Sequence, residues 1–304
     1  MTASVRWIAI VCLGLLTGCQ RAPTAPTLAV REWRSWVLPA DGASLPTPRS
    51  VATGLRDEIA VLDTAGRVLI YTAEGALLRQ WKMLDVSVGK PEGLVVLNDG
   101  RIVVCDTHYH RIVYFDAEGR MLKTFGANGQ MPGEFIYPVG ITKDANENLY
   151  ICEYGGHDRV QKFTREGAYL LEFGSFGPTT GQFQRPSGVA WHAGRVYVTD
   201  AVNNRVLVFT DTGKFEGLLG APGQPPLAFN LPYDIAFGGG DLYVIEYGAG
   251  RLSRVSLEGR LLGQYGRTGG GEGEFATPWG ITIDSQMRVR IADTKNRRIV
   301  TLKL

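Results

Sequence analysis

Short apolar runs of about five residues recur along this chain, each closed by glycine, asparagine or aspartate. Residues 138–174 hold one full cycle. Val139 to Lys143 is followed by the turn Asn146-Glu147-Asn148, then Leu149 to Glu153, then Arg159 to Phe163 after a polar loop, and Tyr169 to Phe173 after Arg165-Glu166-Gly167. Runs of that length, rich in β-branched and aromatic residues and bounded by turn formers, predict four antiparallel strands joined by hairpins. The same cycle returns in second strands such as Ile102-Val-Val-Cys105 and Leu242-Tyr-Val-Ile245, and in third strands such as Ile112-Val-Tyr-Phe115 and Val206-Leu-Val-Phe209.

A proline opens each cycle, at Pro48, Pro91, Pro138, Pro186, Pro232 and Pro278, with spacings of 43, 47, 48, 46 and 46 residues. A period in the forties with strand composition throughout predicts a propeller of six four-stranded blades. The sixth cycle ends at Leu304 after its third strand. At the other end of the chain, Glu32 to Leu38 has an outer-strand pattern and no cycle of its own, so it is expected to complete blade six and close the ring. The fold class is therefore all-β, a six-bladed propeller over residues 31–304.

The stretches Gly133-Glu134-Phe135-Ile-Tyr-Pro138-Val-Gly140-Ile141 and Gly273-Glu274-Phe275-Ala-Thr-Pro278-Trp-Gly280-Ile281 resemble NHL repeats. So do Asp200-Ala-Val-Asn-Asn204-Arg205 and Asp293-Thr-Lys-Asn296-Arg297-Arg298. The resemblance runs from about Pro48 to Leu304, is poorest in blade one, and implies a six-bladed propeller.

The N-terminus reads as an address. Arg6 precedes an apolar run from Trp7 to Leu16, too short to span a bilayer, and Leu16-Thr17-Gly18-Cys19 follows. This resembles a bacterial lipobox, which implies a signal peptide over residues 1–18 and lipidation of Cys19. Residues 19–30 read as a short tether, and in a Gram-negative host the lipoprotein resemblance, with Gln20 rather than aspartate after the cysteine, implies the outer membrane over the inner one. Of the four cysteines, Cys105 and Cys152 remain in the body. Equivalent positions in neighbouring blades lie about one sheet spacing apart, roughly 10 Å, whereas a disulfide needs Cα atoms within about 7 Å. Both are expected as small core residues.

The balance of 32 basic and 30 acidic side chains gives a net charge of +2 and no general attraction to nucleic acid. Chemistry is expected on the face carrying the longer, aromatic loops. There the residue after each marker proline differs in every blade: Arg49, Glu92, Val139, Ser187, Tyr233 and Trp279. Arg49, Glu92, Tyr233 and Trp279 are the candidate ligand residues of the channel mouth. Glu153-Tyr154 and Glu246-Tyr247 break the aspartate pattern of the hairpins and, with His110 and His157, are candidate ligand residues of the hairpin loops. The acid-to-arginine spacings (Asp106 to Arg111, Asp200 to Arg205, Asp293 to Arg298) recur and read as architecture. Phe135, Phe183, Phe229 and Phe275, in register before the proline, are expected to plug gaps between blades.

Enzymes also use this broad fold, among them streptogramin lyases, calcium-dependent lactonases and the peptidylglycine amidating lyase. The last places zinc-binding histidines after the strand-leading prolines, and none stands there in this sequence. No catalytic residue, metal site or cofactor is assigned. The expectation is a monomeric, lipid-anchored binding scaffold of the cell envelope, recognising a protein, peptide or glycan. The alternative is a lyase or hydrolase, possibly metal-dependent, acting at the channel mouth.

Overall fold

The computed structural model describes residues 25–220 and 227–304. The expected signal sequence and lipidated Cys19 lie outside the described residues.

Six four-stranded antiparallel sheets follow one another around a central channel. Blade one comprises Pro48–Thr53, Ile59–Asp63, Arg67–Tyr71 and Leu77–Lys82. Blade six combines Pro278–Ile283, Arg288–Asp293 and Arg298–Lys303 with Glu32–Val37 as its outer strand. That outer strand pairs antiparallel with Arg298–Lys303 from Glu32 opposite Lys303 to Val37 opposite Arg298. The last blade is thus built from both ends of the propeller, and the ring has no open edge at the junction. The seam between blades six and one is stitched further by the hydroxyls of Thr53 and Thr282, 3.0 Å apart, and by Ser285 donating to Asp57 at 2.6 Å.

Residues 25–30, expected to act as a tether, are packed. Thr27 forms a parallel bridge to Gln264, the Leu28 amide donates to the Gln264 carbonyl at 2.9 Å, and the Leu28 side chain is buried against blades five and six. Leu28, with Val30 and Ala25 partly buried beside it, lays this segment along the outer strand of blade five.

The core consists of interblade layers in which second- and third-strand residues interleave, such as Tyr197, Val206, Leu242 and Val244 between blades four and five. Phe135, Phe183, Phe229 and Phe275 are buried at the blade junctions, as their register predicted. Cys105 and Cys152 are free and fully buried, and burial pushes both thiols up.

An acid–arginine pair at the foot of the hairpin recurs in all six blades. Arg67 Nε donates to Asp63 at 2.8 Å, Arg111 to Asp106 at 2.8 Å and Arg159 to Glu153 at 2.6 Å. Arg205 bonds Asp200 at 2.8 Å, Arg251 bonds Glu246 at 2.8 Å and Arg298 bonds Asp293 at 2.7 Å. The sequence spacing suggested this from the second blade on, and the shortened hairpin of blade one keeps it too. Five of the six pairs also grip a neighbouring loop, the exception being Asp106 and Arg111: Arg205, for example, donates to the carbonyls of Thr179 and Gln182, while Asp200 accepts from the Gln184 amide. Donors and acceptors that the loops cannot satisfy among themselves are met this way, so buried charge here fixes the loop face.

Candidate functional site: the loop-face mouth of the channel

In blade three Pro138 pairs with Glu153, so the start of the innermost strand lies beside the hairpin that follows the second strand. The residues after the marker prolines and the hairpin loops therefore share one face. Glycine usually follows at the next position because neighbouring innermost strands approach closely there. A Cβ on Gly93 would lie 1.8 Å from the Val139 carbonyl oxygen, and one on Gly188 2.6 Å from Asp234 Cα. These strands enclose a cavity of about 310 Å³ lined from all six blades.

Arg49, Glu92, Tyr233 and Trp279 come together at the mouth of that cavity. Arg49 Nη1 donates to Glu92 Oε1 at 2.7 Å, and the side chains of the pair are 18% and 8% exposed. The same guanidinium lies 4.1 Å from the centre of the Trp279 ring. Tyr233 stacks on Trp279 with ring centres 5.2 Å apart and planes 19° off parallel. Tyr247 packs against Tyr233 at 5.6 Å. Five side chains from blades one, two, five and six thus form one contact chain, in which cation–π and offset stacking each contribute up to about 1–2 kcal/mol.

Blades three and four place only Val139 and Ser187 at the corresponding positions, and two longer loop residues, Tyr154 and Arg185, contact each other on this face. Tyr154 packs against Tyr137 at 5.3 Å, and the Arg185 guanidinium lies 4.8 Å from the Tyr154 ring centre. Arg185 Nη2 also reaches the Tyr233 hydroxyl at 3.5 Å, joining the two halves of the mouth. Burial, with the Glu92 charge nearby, pushes the Tyr233 hydroxyl pKa up, so it is a neutral donor at any physiological pH. Ser187 Oγ donates to the Tyr233 carbonyl at 2.7 Å.

Deeper in the cavity, Asp234 occupies the position that is glycine in blades two, three, four and six. Its carboxylate accepts the amides of Ile235 and Ile281, both at 2.9 Å. Asp234 lines the cavity, and burial pushes its pKa up to about 7 against those two amide bonds. Asp234 and Arg185 were missed in the sequence reading. Both had a signal: Asp234 breaks the proline-x-glycine triplet, and Arg185 immediately precedes a marker proline.

The hairpin candidates divide. Tyr154 and Tyr247 belong to the mouth. Glu153 and Glu246 do not, which corrects the sequence expectation: both are fully buried and their oxygens are taken. Glu153 accepts from Arg159, Gln161 and the Ile136 amide, and Glu246 from Arg251, Ser253 and the Asn230 amide. They are blade staples like Asp106 and Asp200. His110 bonds the Ile136 carbonyl through Nδ1 and lies against Tyr137, at the margin of the site. His157 has Arg159, Glu172 and Asp158 as charged neighbours, and burial lowers its pKa. Among the described residues no three of His, Cys, Asp and Glu converge as a metal-binding set.

The family described as "6-bladed beta-propeller" matches residues 179–259, and the NHL repeat matches residues 89–115. No curated protein matches the sequence. Among solved structures, a streptogramin B lyase is similar at 17% identity over 90% of this chain and 97% of its own, with a TM-score of 0.65. A gluconolactonase from Xanthomonas campestris is 15% identical over 94% and 99%, with a TM-score of 0.64. A nidogen/laminin complex matches at 17% over 82% and 86%, with a TM-score of 0.60. At such identities the likeness is one of fold, which enzymes and binding proteins share.

Proposed function

We propose that this chain, a six-bladed β-propeller carrying NHL repeats, is a binding protein of the cell envelope, anchored through lipid on Cys19 and holding its ligand at the loop-face mouth of the channel. One observation carries the reading. The strand position that differs in every blade supplies Arg49, Glu92, Tyr233 and Trp279 to a single constellation, over a cavity of about 310 Å³. Repeated positions serve architecture here, as the six acid–arginine staples do, so a position that varies and converges is where specificity resides. The ligand class is an envelope glycan, peptide or protein segment that inserts a polar group into the mouth.

The test is a binding screen of glycans and peptides against the full chain in mild detergent, repeated with Glu92→Gln/Trp279→Ala. Binding should be lost while the variant stays folded, as judged by its melting transition. Undiminished binding by the folded variant moves the site elsewhere. For the anchor, Cys19→Ser should shift the protein from the membrane fraction to the soluble one.

A second reading, a lyase or hydrolase working at the same mouth, is favoured by Asp234, a channel carboxyl near neutrality and so suited to proton transfer. Elemental analysis before and after chelation separates a metal-dependent form of that reading from the first. About one zinc or calcium per chain supports the enzyme, and a metal-free chain with intact binding supports the scaffold.

A further inference from the structure

We propose that the mouth selects a carboxylate-bearing ligand of about monosaccharide size, whose anion is received by Arg185; this rests on the reading of the mouth as the ligand site. Two arginines stand there, and they differ. Arg49 is committed, bonded to Glu92 and stacked on Trp279. Arg185 is exposed and has no carboxylate within ion-pair distance among the described residues, and its guanidinium lies over Tyr154 with only a long contact to the Tyr233 hydroxyl. Asp158, which accepts the Arg185 amide, is buried and spends its oxygens on the amides of Gly155, Gly156 and Arg185, and the Glu92 charge acts on the guanidinium from beyond ion-pair distance. A guanidinium held over a ring keeps its N–H edge free in a fixed plane, which is the geometry a bidentate carboxylate needs.

The remaining groups argue for a hydroxylated body rather than a flat aromatic one. The Trp279 ring carries Arg49 and Tyr233 at stacking distance, and Tyr154 carries Arg185 and Tyr137. What the mouth offers instead is edges: the hydroxyls of Tyr154 and Tyr233, and Glu92 Oε2, which makes no hydrogen bond among the described residues while Oε1 takes Arg49. Val139 and Ser187 line the cavity on the side of blades three and four with short side chains, and Arg185 stands next to that wall in sequence, two residues before Ser187. A cavity of about 310 Å³ is at the lower end of the range for small-ligand sites, suited to one sugar ring. A sugar acid meets this set with its carboxylate on Arg185 and its hydroxyls on the tyrosines and Glu92. Such a group is found both in free hydroxy acids and at uronate ends of polysaccharides.

Isothermal titration of the full chain in detergent tests this with glucuronate, its methyl ester and glucose, on wild type, Arg185→Gln and Arg185→Lys. Glucuronate should bind, with the ester and glucose weaker by about tenfold or more. Arg185→Gln should lose about the same factor with an unchanged melting temperature, and Arg185→Lys should fall between. Equal binding of acid and ester, undiminished binding by Arg185→Gln, or no heat from any carboxylate overturns the inference. If a neutral ligand binds and is lost in Trp279→Phe while carboxylates are ignored, this inference fails and the mouth remains the site. If glucuronate binds but neither Arg185→Gln nor Trp279→Phe weakens it, both fail. A uronate-terminated oligosaccharide that binds more tightly than glucuronate assigns a polysaccharide end, and equal affinity assigns the free acid.

Discussion

Asp234 shows how one side chain departs from a repeated position and gains chemistry. In four other blades a glycine stands there because the adjacent strand leaves no room for a Cβ. Asp234 instead turns its carboxylate onto the Ile281 amide of blade six. Its folded-state pKa of about 7 lies above the ordinary 3.8, so the folded chain binds this proton more tightly than the unfolded chain does. Its contribution to stability is therefore present in full below about pH 4 and declines as pH rises to about 7. In Asp234→Asn that decline should be absent, leaving the melting temperature less dependent on pH between 4 and 7 than in wild type. A variant whose profile superimposes on wild type would mean that Asp234 titrates normally. The aspartate was visible as the break in a triplet, but its burial was not, because that depends on how closely two blades approach. The same limit applies to Glu153 and Glu246. Their departure from aspartate reads as a sign of ligand binding in the sequence, yet the extra methylene only reaches the same loop amides and arginine from a slightly different hairpin.

At the scale of elements, strand count made the closure legible. A sixth cycle lacking an outer strand and an N-terminal strand lacking a blade had one economical solution, and Glu32–Val37 occupies it. Residues 25–30 were less legible, since Leu28 and Val30 among alanines, a proline and a threonine make too short a pattern to read, and the burial of Leu28 depends on the cleft above Gly263. Deleting residues 31–38 should lower the melting temperature of the full chain by more than about 10 °C, since a six-residue ladder and the burial of Trp33, Trp36 and Leu38 go with it. An unchanged melt would show that the ring holds without this strand.

For the whole molecule, the repeat makes the architecture almost independent of the residues around the channel. Interblade layers, junction phenylalanines and six acid–arginine staples fix six strands around an axis, and the position after each proline is left free to differ. That freedom is why the fold was readable from spacing and composition while the ligand was not: a repeat reveals what every blade shares, and specificity lies in what each does not. The mouth residues were identifiable as variable, but the contact chain from Glu92 through Arg49 and Trp279 to Tyr233 required the ring to bring positions more than two hundred residues apart together.

Trp279 lies between Arg49 and Tyr233, so its emission reports directly on the mouth. The decisive measurement is the tryptophan fluorescence of wild type minus that of Trp279→Phe, followed while titrating a ligand that raises the melting temperature. The difference spectrum should change with the same midpoint as binding. A ligand that stabilises the protein yet leaves that spectrum unchanged would place binding away from the mouth and contradict the account.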